Sequence, residues 1–311
     1  MTDELKNFDS KKTNSLSIKV FKNMRLYSGI IYKRGGNQIM KVSFDLKGKV
    51  TVITGGAGVL CSEMSKQLAL RGVKVVVLGR NFDKAQEVAD EIVVKGGVAI
   101  GVKADVLDKE SVQKAKEEVL KAFGRVDILI NGAGGNKKEA TVTEDVNFFD
   151  ISADAMRLVM DLNFMGTVLP TQVFGELMAK QGSGNIINIS SMSAFIPLTN
   201  VMSYSAAKAA INNFTQWIAV YMNHNYSNKI RVNAIAPGFF LTEQNRYLLI
   251  DSRNGCDTDR GRLIKQHTPM GRYGSPDELV GAVIWLASDA SSFVNGAVIP
   301  IDGGFLAYSG V

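Results

Sequence analysis

Val50-Thr51-Val52-Ile53-Thr54-Gly55-Gly56-Ala57-Gly58-Val59-Leu60-Cys61 is the stretch that decides the fold. A short β-branched run enters a glycine-rich turn, and a helical pattern follows over Ser62–Arg71, with Leu68 and Ala69 on its buried side. Glycines at such a turn let the backbone approach a ligand, and the free N–H groups at the helix start suit an anion. Outward from this unit the theme recurs. Candidate strands are Val50–Ile53, Lys74–Leu78, Val98–Val102, Val126–Ile130, Asn185–Ser190, Ile230–Ile235 and Ala297–Ile301. They are almost continuously apolar, as strands covered on both faces must be. Between them, Phe82, Ala85, Val88, Ala89, Ile92 and Val93 recur at helical spacing, as do Val112, Ala115, Val119 and Phe123. Strands alternating with helices predict an α/β fold of Rossmann type: a doubly wound parallel sheet of about seven strands, helices on both faces, in one domain over residues 40–311. A longer irregular stretch, about Phe239 to Tyr273, is expected at the carboxyl ends of the strands, where such sheets bind ligands.

Composition narrows the function. The net charge is +6, but residues 1–39 carry +5 of it, so the remainder is nearly neutral. A nucleic-acid binder needs a basic face on the folded domain, and only this extension could supply one. It mixes Lys, Asn and Ser without a sustained period and reads as a poorly ordered basic tail. Arg34-Gly35-Gly36-Asn37-Gln38-Ile39 could be encoded by a ribosome-binding-like stretch, so translation is expected to begin at Met40; a basic arm or membrane-touching segment is the alternative. No apolar run reaches transmembrane length and no secretory signal opens the chain, which predicts a cytoplasmic protein without membrane partners. Cys61 and Cys256 have no metal-ligand spacing and are expected as reduced thiols, and His224 and His267 lack partners, so no metal is expected.

Tyr204 and Lys208 stand four apart, on one face of a helix. A free phenol has a pKa near 10, and a neighbouring ammonium favours its phenolate, so the expectation is that Lys208 lowers the Tyr204 pKa and makes it a general acid or base. Alone, a Tyr-x-x-x-Lys pair is more often an ordinary helix surface.

The surroundings change that reading. The turn at 54–61 resembles the Thr-Gly-x-x-x-Gly-x-Gly fingerprint of the short-chain dehydrogenase/reductase family, with the second and third family glycines falling on Val59 and Cys61 and a glycine one place early at Gly58. Ser191, thirteen residues before Tyr204, matches the family's carbonyl-orienting serine, with the adjacent Ser190 as competitor. Asn163 matches the helix asparagine that binds a relay water through Lys208; its other reading is a local kink where the side chain bonds backbone. The resemblance covers about residues 46–305 and implies a hydride-transfer oxidoreductase. In it, Ser191 and Tyr204 would hold the substrate oxygen, and Lys208 would hold the cofactor ribose.

The same resemblance implies a nicotinamide cofactor bound by Gly55, Gly56, Gly58, Val59 and Leu60, by Asp105 and Val106 after the third strand, and by Tyr204 and Lys208. It adds Asn131, Ala133 and Gly134 from an Asn-Asn-Ala-Gly signature whose second Asn is Gly132, and Pro237, Gly238, Phe240 and Thr242 from a Pro-Gly loop. Asp105 could instead cap the helix near Lys109. At the tip of the second strand, Arg80 and Asn81 stand where a carboxylate would bond the ribose 2′-hydroxyl. A guanidinium there favours the 2′-phosphate of NADP; if Arg80 only stacks on adenine or faces solvent, NAD serves.

Gly134-Gly135-Asn136, the loop from Phe239 to Arg246 and the tail from Asp302 to Val311 resemble the D-mannonate oxidoreductases (fructuronate reductases) within that family. This implies a sugar-acid substrate, D-fructuronate/D-mannonate, with Asn136 and Arg246 as candidate contacts and Lys137, Lys138 and Arg260 as alternatives. Another sugar, a polyol, a ketogluconate or a 3-oxoacyl thioester is the next reading. A catalytically silent NAD(P)H-binding sensor or scaffold is the alternative of another class. By the same resemblance the protein is expected to be a homotetramer.

Overall fold

Seven apolar runs pair side by side into one sheet: β1 (Val50–Thr54), β2 (Lys74–Gly79), β3 (Val98–Lys103), β4 (Ile128–Asn131), β5 (Gly184–Ile189), β6 (Ile230–Pro237) and β7 (Val298–Ile301). Every pairing is parallel, in the order β3-β2-β1-β4-β5-β6-β7. The computed structural model describes residues 31–34, 38–41, 43–242 and 245–310. Helices α1 (Val59–Ala69), α2 (Phe82–Val94), α3 (Lys109–Phe123), α4 (Ala153–Met160), α5 (Gly166–Gln181) and α6 (Met202–Asn225) carry the main crossovers, followed by the short α7 (Arg246–Leu249), α8 (Asp259–His267) and α9 (Val280–Ala287). The expected doubly wound fold is therefore present.

The two-residue period of the strands splits the core. Ile53, Val75 and Val77 face α1, α2 and α9 through Leu68, Ala89 and Val283, whereas Val52, Val76 and Leu78 face α3, α5 and α6 through Val112, Phe174 and Met222. Burial on both faces explains why these strands read as unbroken apolar runs. A polar seam crosses the second layer. Asn131 Nδ2 donates to Thr171 Oγ1 and to Asn188 Oδ1, both at 2.9 Å, and Asn188 Nδ2 donates to Thr215 Oγ1 at 2.9 Å. These side chains are nearly fully buried and tie β4 and β5 to α5 and α6.

Two segments differ from expectation. The irregular stretch after Phe239 contains α7 and α8, closing over a small cluster of Leu249, Ile264 and Tyr273. In α8 only Gly261 and Ile264 are buried, too few contacts to print a helical period on the sequence. The described residues before Asp45 fall outside the unit Asp45–Val311. Of the extension read as poorly ordered, residues 1–30 and 35–37 lie outside the described residues. The described part is an antiparallel hairpin of Ile31–Arg34 with Gln38–Lys41, Tyr32 opposite Met40, whose four-residue strands are too short for a pattern to register. Among the described residues no helix is long and apolar enough to cross a membrane.

Asn188 joins the two halves of the polar seam, so Asn188→Ala leaves buried hydrogen-bonding groups on Asn131 and Thr215 without that partner. The expected cost is about 1–3 kcal/mol, read as a lower urea midpoint; an unchanged midpoint would show the seam to be energetically neutral.

Candidate active site

The turn between β1 and α1 is built for close approach. Gly55 has φ +63°, and a Cβ there would lie 2.8 Å from Ala133 Cα, so conformation and space both require glycine. Gly58 is the extended N-cap of α1, with no side chain capping the helix. The helix consequently starts at Val59, three residues before the expected Ser62: the early glycine is the cap itself. Helix geometry gives the N–H groups of the first turn no carbonyl partner within the helix, and Val59 and Leu60 border a cleft of about 540 Å³.

That cleft gathers most of the predicted cofactor positions. Gly55, Gly58, Val59 and Leu60 line it from the first turn, Arg80 from the end of β2 and Val106 from beyond β3. Ala133 and Gly134 contribute after β4, and Gly238, Phe240 and Thr242 after β6. Seven predicted positions are not in its lining, Tyr204 and Lys208, described below, among them. Gly56 faces inward, where a Cβ would meet Ile53 O and Val77 Cγ1 at 2.8 Å. Asn81 caps α2, accepting the Lys84 N–H at 3.1 Å. Asp105 Oδ1 accepts the Leu107 N–H at 3.0 Å, while the cap of α3 is Asp108, which corrects the alternative reading of Asp105. Asn131 is spent in the polar seam, and Pro237 is buried at the end of β6.

Other lining residues were not singled out as cofactor contacts. Cys61 and Gly132 belong here, as do Leu162 and Asn245. Asn245 clamps the Pro-Gly loop, its Oδ1 accepting the Thr242 N–H and its Nδ2 donating to Phe240 O, both at 2.8 Å. An Asn three residues after a Thr was its only sequence signal.

At the end of β5, adjacent serines part ways, as neighbours on an extended backbone must. Ser190 Oγ donates to Asn212 Oδ1 at 2.5 Å and so faces α6. Ser191, in extended conformation, hydrogen-bonds the Tyr204 phenol and accepts the Ser193 N–H at 3.1 Å. Lys208 is buried, its Nζ donating to Ile189 O at 2.8 Å and lying 5.5 Å from the centre of the Tyr204 ring. Asn163 sits in a π-helical turn, Asp161–Met165, between α4 and α5. Its Nδ2 donates to Gly135 O at 2.7 Å and Val159 O at 2.8 Å, and its Oδ1 accepts the Gly135 N–H at 3.0 Å. The side-chain-to-backbone kink is thus realised. A Cβ at Gly134 would come 2.6 Å from Asn163 Oδ1 and 3.3 Å from Lys208 Nζ, so only glycine fits against these two side chains.

The electrostatics correct one expectation. Burial pushes the Tyr204 phenol above its ordinary value, and the opposing influence is the Ser191 hydrogen bond rather than the Lys208 ammonium. Desolvation acts on Lys208 too, pulling the amine down to about 8. A dry pocket disfavours both charged forms, and Lys208 Nζ is held by a carbonyl near the ring instead of at the hydroxyl. At neutral pH the arrangement therefore offers a protonated phenol beside the Ser191 hydroxyl, the equipment of a general acid.

The candidate substrate contacts are more scattered. Asn136 Nδ2 donates to Thr141 Oγ1 at 2.7 Å, and Arg246 is exposed on α7; neither borders the cleft. Lys137, Lys138 and Arg260 are exposed, and Glu243 and Gln244 of the resembling loop lie outside the described residues. Among the described residues no group of three or more His, Cys, Asp or Glu side chains could hold a metal.

Comparison with known proteins places this geometry. The profile of a family described as enoyl-(acyl carrier protein) reductase matches residues 58–306. An uncharacterised oxidoreductase of Bacillus subtilis, UxuB, is 51% identical over 276 residues, covering 86% of this chain and 98% of its own. A Haemophilus influenzae crystal structure with bound NAD, provisionally named a D-mannonate oxidoreductase, is 47% identical with a TM-score of 0.81 over 86% of this chain and 98% of its own. A gluconate 5-dehydrogenase of Burkholderia cenocepacia, in complex with NADP and tartrate, is 32% identical with a TM-score of 0.76 over 85% of this chain and 98% of its own.

The two serines can be told apart by titration. In protein carrying ¹³Cζ-labelled tyrosine, Ser191→Ala is expected to move the Tyr204 resonance titration further upward, because the hydrogen bond that favours phenolate is lost, whereas Ser190→Ala leaves it in place. The opposite pattern would assign the phenol's partner to Ser190.

Proposed function

The chain belongs to the short-chain dehydrogenase/reductase family, and from that premise we propose that it interconverts a ketone and a secondary alcohol on a sugar acid, D-fructuronate and D-mannonate, with Ser191, Tyr204, Lys208 and Asn163 as its catalytic set. It is an NAD(P)-dependent oxidoreductase acting on CH–OH groups. The observation that carries the mechanism is the Ser191–Tyr204 hydrogen bond beside a buried Lys208.

When bound, the nicotinamide supplies or accepts the hydride at its C4. The protein's work is to hold the oxygen and move a proton. Ser191 and Tyr204 donate hydrogen bonds to the substrate carbonyl, and the phenol, protonated at neutral pH because burial raises it, gives up its proton as negative charge develops on that oxygen. Lys208 holds the ribose and, with its amine near 8, exchanges protons at physiological pH. Asn163, through Gly135, fixes the turn beside it and orients a relay water. The backbone N–H groups of Val59 and Leu60 hold the pyrophosphate, with Gly55, Gly58, Ala133 and Gly134 leaving room for it.

The sugar-acid reading draws on the D-mannonate and gluconate names of the two structural relatives. A carboxylate and several hydroxyls call for a cation or amide and further polar partners, and Asn136 and Arg246 are assigned to them, ahead of Lys137, Lys138 and Arg260. Assembly as a cytoplasmic homotetramer belongs to the same reading. It is supported by an exposed aromatic run on α6, where Phe214, Trp217 and Tyr221 stack in succession with Trp217 57% exposed.

Two experiments test this. NAD(P)H oxidation against a panel of ketouronates and ketogluconates is expected to show turnover with D-fructuronate, and Tyr204→Phe to lower kcat by about 10²–10⁴-fold while NAD(P)H still binds. Turnover only with other panel members would overturn the substrate, and near-normal turnover by Tyr204→Phe would overturn the mechanism. For cofactor choice, Arg80 is exposed at the mouth of the cleft and is assigned to the 2′-phosphate of NADP. Arg80→Ala is expected to lower kcat/KM for NADPH by about 10–100-fold, the worth of hydrogen bonds to a charged group, and to leave NADH little changed. A wild-type preference for NADH that the substitution does not alter would remove Arg80 from that role.

A further inference from the structure

Two positions depart from the family pattern in opposite senses: Cys61 stands where the fingerprint has its third glycine, and Gly132 stands where the Asn-Asn-Ala-Gly signature has its second asparagine. One has gained a side chain and the other has lost one. They are seventy-one residues apart in the sequence, yet both border the cofactor cleft. A Cβ placed on Gly132 would overlap Cys61 Sγ, and it would also come 3.0 Å from Thr54 O. The space a side chain at 132 needs is the space the thiol fills.

From this we infer that Cys61 and Gly132 form one exchangeable packing pair that sets how closely the first turn of α1 sits against the end of β4, making Cys61 a positioning residue for the dinucleotide. The inference rests on the cofactor reading given above. Cys61 is the third residue of α1, directly behind the Val59 and Leu60 amides, so its contact with the β4 turn fixes where those amides point. The opposite turn has no slack to absorb a shift, because Thr54 Oγ1 accepts the N–H groups of Gly132 at 3.1 Å and Ala133 at 3.2 Å. The thiol acts here by volume. It is buried, and burial pushes it up to about 12, so it stays neutral and adds no negative charge beside Lys208. In cores packed at crystal-like density, transferring a side chain across a contact is tolerated far better than adding or deleting one.

A double-mutant cycle tests the pairing, read by fluorescence titration of NADH and NADPH and by steady-state KM and kcat. Gly132→Ala alone is expected to weaken cofactor binding at least tenfold, because its methyl meets the thiol, and Cys61→Gly alone several-fold, because it leaves a void behind the amides. Cys61→Gly combined with Gly132→Ala, or with Gly132→Asn, is expected to return the dissociation constant to within about twofold of wild type, with the single-variant losses falling on cofactor KM more than on kcat. Recovery only in the combined variants is the outcome that a general loss of stability would not give. If Gly132→Ala fails to fold but the combined variant folds and binds, the pairing stands. If the effects multiply independently, or the combined variants fail as badly as Gly132→Ala, the inference is overturned. Wild-type protein that bound neither NADH nor NADPH would instead strike at the cofactor reading itself.

Discussion

Thr54 accepts two backbone N–H groups, from Gly132 and Ala133, and so fastens the turn that follows β1 to the turn that follows β4. These strands are neighbours at the centre of the sheet, where the order reverses direction, and such a reversal opens a crevice beyond the strand ends. Closeness at that junction constrains the side chains on it, since one at 55 would meet the Ala133 backbone and one at 132 would meet the Cys61 thiol. Two borders of the cleft meet at this contact: the N-terminal turn of α1 on one side, and on the other the Gly134–Gly135 segment that leads to Asn163.

Beyond the junction the site is governed by desolvation. Lys208 and Cys61 are buried and Tyr204 is half-buried, and each is pushed toward its neutral form. Holding the Lys208 amine near 8 instead of 10.5 corresponds to on the order of 3 kcal/mol against its charged state. The polar seam shows how the fold accommodates neighbouring buried polarity: amides and hydroxyls from α5 and α6 are matched to Asn131 and Asn188 on the strands, neutral partner to neutral partner. At Lys208 the polar partner is the Ile189 carbonyl.

The sheet was legible because its strands are covered on both faces, so burial alone wrote them into the sequence as apolar runs. The Tyr204–Lys208 pair was legible because helical periodicity is local. What could not be read in advance depends on contacts between distant segments. Gly55 and Gly56 are equivalent as letters, yet one meets the β4 turn and the other meets Val77 of β2. Asn131 looked like a cleft residue until Thr171 and Asn188 proved to claim its amide nitrogen. The direction of the Tyr204 shift likewise needed three dimensions: a four-residue spacing brings an amine near a phenol but does not say that Ile189 will hold that amine near the ring.

The two ends of the site are made of different material, and this bears on how specificity can change. At the cofactor end the contacts are backbone amides and glycines, fixed by the sheet. Toward Asn136 and α7, where the proposed substrate contacts lie, they are side chains carried on a loop and a short helix. The join between them is Asn163, whose amide spans Gly135 and Val159 while its Oδ1 faces the corner that Lys208 Nζ also borders. A rearrangement of the 136–150 segment that pulled on Gly135 would therefore shift an amide placed beside Lys208. Loops that begin after Asn245 have no such tie among the contacts described, since Asn245 itself binds back to Thr242 and Phe240. On the proposed function, substitutions in α7 and α8 would leave the Asn163–Gly135 corner untouched, whereas changes rooted at Gly135 would reach it.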